Sequence, residues 1–158
     1  MNVASWLVWG LAATTLMTSL MAASQGLGLT RINLPYILGT MFTPDRDRAR
    51  ALGVVIHLVN GWITSLAYVG VFEQWPPATW WKGALVGLAH AAFVLTVALP
   101  ALPGLHPRMA TERRGPTVVR QLEPPGFLGL HYGIQTPIWI AAGHVVFGIV
   151  LGGFYARA

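Results

Sequence analysis

Ala51-Leu-Gly-Val-Val-Ile-His57-Leu-Val-Asn-Gly61-Trp-Ile-Thr-Ser65-Leu-Ala-Tyr68-Val-Gly-Val-Phe72 decides the fold. It carries no Asp, Glu, Lys or Arg, and it is as long as the roughly 20 apolar residues a helix needs to cross a bilayer. Three more stretches are as long and apolar, over about 4–23, 81–102 with Lys82 at its edge, and 137–155. A lipid-embedded chain must satisfy its backbone internally, and four short apolar runs are too few for a closed barrel, so all four read as helices. The predicted fold is all-α: an integral membrane four-helix bundle forming a single domain over 1–158.

Composition agrees. Of 158 residues, 54% are hydrophobic and 9% charged, against about 25% charged in an ordinary soluble domain. That excludes disorder, which needs low hydrophobicity and high charge. Cysteine is absent, which excludes a disulfide framework, thiol catalysis and thiolate metal sites. The first span lacks the basic leader of a signal peptide and reads as a retained helix.

Arginine sets the orientation. Arg31, Arg46, Arg48 and Arg50 follow span one; Arg108, Arg113, Arg114 and Arg120 follow span three. These two loops share a side in a four-span chain, and only Lys82 and Arg157 fall on the other. Asp45, Asp47, Glu112 and Glu123 leave the basic side at +4. Loops one and three are expected in the cytoplasm, with both termini outside. The overall charge of +5 then reflects topology and anionic lipid headgroups rather than nucleic acid.

The chain reads as two parallel two-helix repeats. His57 and Gly61 match His144 and Gly148, Gly10-Leu-Ala matches Gly87-Leu-Ala, and a short apolar segment precedes each even span, Leu34 to Phe42 and Phe127 to Ile134. Both segments are too short to cross and are expected at the interface. Thr43-Pro44-Asp45 reads as an N-cap, a first helical Pro and an acid in the first turn, starting a helix near residue 44.

Small residues recur every four positions: Gly10, Thr14, Thr18, Ala22; Gly53, His57, Gly61, Ser65; Gly83, Gly87, Ala91; His144, Gly148, Gly152. Spacing four keeps each set on one face, where backbones can approach.

His57, His90 and His144 are the ionisable groups left at depth, about 10–15 Å from the basic end at 1.5 Å per residue. Two readings stay open. As neutral buried groups they bond to hydroxyls, with Thr14, Thr15, Thr18, Ser19 and Asn60 as available partners. As ligands, they hold a haem iron from either side or a chlorophyll-type pigment singly. His131 and Tyr132 fall beneath this layer.

The third loop carries His106-Pro-Arg108-Met, Arg113, Arg114 and Arg120. These residues form a candidate anion or lipid-headgroup site, or a docking surface for another membrane subunit or a second copy. Glu112 and Glu123 show no paired partner. No phosphate loop, nucleophile elbow or zinc motif is present, and no catalytic residue is assigned.

Gly10-Leu-Ala-Ala-Thr14-Thr15-Leu-Met-Thr18, His57-Leu-Val-Asn60-Gly61, Gly87-Leu-Ala-His90, His106-Pro-Arg-Met109 and His144-Val-Val-Phe-Gly148 together resemble small bacterial four-helix inner-membrane proteins of unknown function. The resemblance implies this fold in a bacterial cytoplasmic membrane and implies no reaction. The expected role is a non-enzymatic accessory or scaffolding subunit, or a homo-oligomer. A haem- or pigment-binding redox protein is the alternative, and a transporter or lipid-handling protein comes third.

Overall fold

The computed structural model describes residues 1–111 and 113–155. Glu112 and Arg157, both used in the charge count, lie outside the described residues. The described residues are helical, with no strand beyond an isolated bridge between Met109 and Leu122. The helices are α1 (Val3–Gly26), α2 (Leu34–Thr40), α3 (Arg46–Gln74), α4 (Trp80–Phe93), α5 (Leu99–Leu105) and α6 (Thr136–Phe154). A π-helical turn, Val94–Ala98, joins α4 to α5, and a 3₁₀-like turn, Phe127–Tyr132, precedes α6. Four helices are long and apolar enough to cross a membrane: Val3–Gly26, Arg46–Gln74, Trp80–Leu105 and Thr136–Phe154.

Both short segments before the even spans exist, as α2 and the 3₁₀-like turn. The start of α3 differs from expectation. Asp45 is the N-cap, its carboxylate accepting from Arg48 N at 2.8 Å. Thr43 instead accepts from Asp45 N at 3.2 Å, so it braces the cap rather than forming it. The carboxylate outcompetes the hydroxyl because it brings a full charge to the positive end of the helix.

The small-residue stripes pair with one another. A β-carbon on Gly83 would land on the carbonyl of Gly148, one on Gly148 on the carbonyl of Gly83, one on Gly87 on that of His144, and one on Gly152 on that of Thr79. The α4–α6 contact is therefore antiparallel and backbone to backbone. On the other side Gly10 faces Ser65, Gly61 faces Thr14, and Thr18 bonds His57. This zips α1 to α3 in the same sense. α2 lies along α3 by the same device: Gly53 faces the Pro35 carbonyl and Gly39 that of Ala49. Glycine removes the side chain that would hold the axes apart, so dispersion between backbones replaces the missing hydrophobic drive in lipid.

Pro100 explains the π turn. Its ring excludes the carbonyl four residues earlier and it brings no N–H. The ladder widens instead, with Leu99 N bonding Val94 O. Such bulges are common at functional sites. At the opposite end Tyr155 ties three helix ends together, donating to Glu73 Oε1 at 2.8 Å and accepting from Asn2 N at 2.9 Å.

Candidate functional site

The three deep histidines converge. His57 and His144 are 4% and 6% exposed. The His90 and His144 rings meet edge to face, with centroids 4.5 Å apart. Each ring has its Nδ1 engaged. His57 Nδ1 lies 3.0 Å from Thr18 Oγ1, His144 Nδ1 is 2.8 Å from the Ile140 carbonyl, and His90 Nδ1 is 3.0 Å from the Tyr68 hydroxyl. Of the hydroxyls offered by sequence, Thr18 alone partners a histidine. Tyr68 and the Ile140 carbonyl were missed, the first because it sits 22 residues from His90 on another helix, the second because backbone acceptors are invisible in a side-chain search.

His57 and His144 line a cavity of about 160 Å³. Met17, Met21, Val54, Val94, Leu99 and Ile140 form its apolar walls, and Gln25, Asn33 and Arg50 its polar rim at the arginine-rich end. Val94 opens the π turn and Leu99 follows it, so the irregular stretch of the third span shapes one wall. Arg50 lies seven residues before His57, about 10 Å along the helix. An apolar cavity of about 150 Å³ takes up a molecule the size of benzene. This one accepts a ring or a short length of chain. A porphyrin is several times larger and would have to part the zipped helices. Among the described residues no group of three or more His, Asp or Glu is placed to hold a metal ion.

Compared with protein families, with characterised proteins and with solved structures, the chain matches none.

The five candidate residues of the third loop divide into two groups. His106 and Arg108 clamp the loop onto α2. His106 Nε2 donates to the Ile37 carbonyl at 2.9 Å, and its Nδ1 accepts from Arg108 N at 3.1 Å. Arg108 Nη1 donates to the Thr40 carbonyl at 2.6 Å and lies 3.2 Å from that of Met41. Met109, 1% exposed, packs with Ile32, Ile37, Leu95, Leu99 and Tyr132. The motif His106-Pro-Arg-Met109 is thus a docking device. Arg113, Arg114 and Arg120 surround an open depression of about 690 Å³, with His131, Phe127 and the clamp's own His106 on its wall. Arg120 Nε is buried there and has no hydrogen-bond partner among the described residues. Glu123, expected to be unpaired, faces Arg31 at 3.4 Å. Tyr132 closes this corner by donating to the Glu123 carbonyl at 2.6 Å; burial and then the Glu123 charge push its hydroxyl up to about 12, against the opposing pull of Arg31.

The clamp makes a prediction. Burial first, and then the Arg108 charge, hold His106 below its ordinary value of 6.5, and the bond to Ile37 only partly opposes them. Because the folded value is the lower one, the neutral ring contributes fully above pH 6.5 and progressively less as pH falls below it. Protonation would also turn an N–H of Nδ1 toward the Arg108 N–H. His106→Ala is expected to loosen the loop by about 1–3 kcal/mol, the cost of leaving buried groups unpaired. Hydrogen exchange over residues 106–124 checks this. Protection factors, taken against the intrinsic exchange rate at each pH, should fall in the variant at pH 7.5 and in the wild type below pH 6; unchanged protection in both would remove His106 as the pin.

Proposed function

We propose that this is a small, non-enzymatic, multi-pass protein of the bacterial cytoplasmic membrane that holds one amphiphile in the histidine-lined cavity. Loops one and three are cytoplasmic and the termini lie outside. The role is accessory: the protein binds or presents a lipid-like molecule and does not transform it. One observation carries the reading, namely an apolar cavity that has Arg50 at its mouth and two buried imidazoles at its inner end. That arrangement suits an anionic or polar head at the headgroup level with its tail or ring between α1, α3 and α6. The small-residue stripes are occupied by the chain's own helices, so the weight moves from a homo-oligomer or partner subunit to the cavity. Arg113, Arg114 and Arg120 meet anionic lipid headgroups in the same reading.

Two parallel repeats belong to this proposal. In each unit the second span brings a histidine, then a glycine four residues on, against the first, α3 against α1 and α6 against α4. His57 and Gly61 do so against Thr18 and Thr14, and His144 and Gly148 against Gly87 and Gly83.

Val54 lines the mouth of the cavity and is half exposed, so Val54→Trp should fill the entrance without disturbing the helix contacts. Mass spectrometry of protein released from mild detergent is expected to find about one equivalent of a bound amphiphile, and at least tenfold less in the variant. Bound lipid that simply mirrors bulk membrane composition in both proteins would overturn the proposal. A visible absorption band in the preparation would return the haem or pigment reading.

A further inference from the structure

Hydrogen-bond accounting fixes what the two cavity histidines present. The Ile140 carbonyl can only accept, so His144 Nδ1 must carry the proton in that bond. Thr18 has one hydroxyl proton, and Thr18 Oγ1 donates it to the Thr14 carbonyl at 2.7 Å. Thr18 therefore accepts from His57, and His57 Nδ1 carries its proton too. A neutral imidazole has one N–H. In both rings Nε2 is then a bare lone pair, and it is the only polar ring atom each has left to offer the cavity they line. Among the described residues neither Nε2 has a protein partner, and an unpaired acceptor in apolar surroundings is costly.

Resting on the amphiphile reading above, we propose that the bound molecule carries a hydrogen-bond donor at its deep end. An alcohol, phenol or hydroquinone fits; the matching ether, ketone or quinone does not. Two acceptors on rings that line one apolar space pair with an O–H and repel a carbonyl. The same tautomer, with Nδ1–H tied to an oxygen, is how metal-bound imidazoles are usually held. Here no third His, Asp or Glu joins the pair among the described residues, and two imidazoles fall short of the four ligands a zinc-type site needs. The donor sits about 10 Å from the Arg50 level at 1.5 Å per residue, so the molecule has a polar head and a separate hydroxyl rather than one polar end.

The test uses wild-type protein in lipid nanodiscs with nitrogen-15 histidine, titrated with 4-hexylphenol and with 4-hexylanisole. These differ by the donor alone. Before titration, Nε2 of His57 and His144 should resonate as unprotonated nitrogen. The phenol, with one O–H to give, should shift the Nε2 it donates to and bind roughly tenfold more tightly than the anisole, the worth of one hydrogen bond. Of His57→Phe and His144→Phe, the variant that removes the shifted nitrogen should abolish the tenfold preference for the phenol over the anisole. Equal binding of the two probes, or protonated Nε2 at the start, overturns the donor inference and leaves the amphiphile proposal standing. Failure of both probes to bind overturns both.

Discussion

Gly148→Ala is expected to destabilise the protein by about 3 kcal/mol, the upper part of the range for forcing extra atoms into a packed contact. The new methyl would land on the Gly83 carbonyl. That neighbour is backbone on another helix, and it can yield only if α4 and α6 separate. The same contact repeats one turn on at Gly87 and one turn back at Gly152, so separation loses a row of close approaches together. Gly70→Ala provides the contrast of opposite sign. Nothing lies within 4 Å of a β-carbon there, so alanine should gain its helix-propensity advantage of about 0.5–1 kcal/mol. Denaturant or thermal unfolding in one detergent reads both. Equal effects at the two positions would show that backbone contact between α4 and α6 does not hold the fold.

The spans were legible because the signal is local and repeated: some twenty positions in a row without charge admit one explanation. The stripes were legible for the same reason, since spacing four defines a face whatever that face meets. Which stripe meets which was not. Gly83 with Gly148 and Thr18 with His57 are choices among several equally good small-residue faces, and they depend on the whole chain. The clamp shows the limit most clearly. His106 and Arg108 look like free basic residues in a loop, because their acceptors are the backbone carbonyls of Ile37, Thr40 and Met41, more than sixty positions away. Carbonyls leave no trace in a sequence. Asp45 in place of Thr43 is a subtler miss, with two acceptable caps flanking a proline and electrostatics deciding between them. At the candidate site the three histidines could be named from sequence. The cavity beside them could not, since it exists only where the π turn, α2 and the zipped helices meet.

Lys82→Met is expected to cost about 2–4 kcal/mol, an effect larger than its place at the edge of a span suggests. Lys82 is 5% exposed and, among the described residues, forms no ion pair. It stands in the first turn of α4, where the helix dipole disfavours a cation by about 0.3–1 kcal/mol. Its surroundings reverse that. Nζ donates to the Trp75 carbonyl at 3.0 Å and the Pro77 carbonyl at 2.9 Å. It also lies 4.6 Å from the Trp75 ring centre and 5.5 Å from that of Trp81. Hydrogen bonds from a charged donor contribute about 1.5–3 kcal/mol each, and a cation over an indole adds about 0.5–2, so the cage outweighs the dipole. Methionine keeps the length and apolar stem but leaves two carbonyls unpaired and frees the tryptophan pair. Lys82→Arg separates this cage from simple anchoring at the membrane surface. A planar guanidinium cannot point a compact charge between two carbonyls and two rings at right angles, so arginine should restore less than half of the loss. Thermal unfolding together with tryptophan emission reads the outcome. Full rescue by arginine, with emission unchanged, would mean that only positive charge is required at position 82 and that the cage contributes nothing.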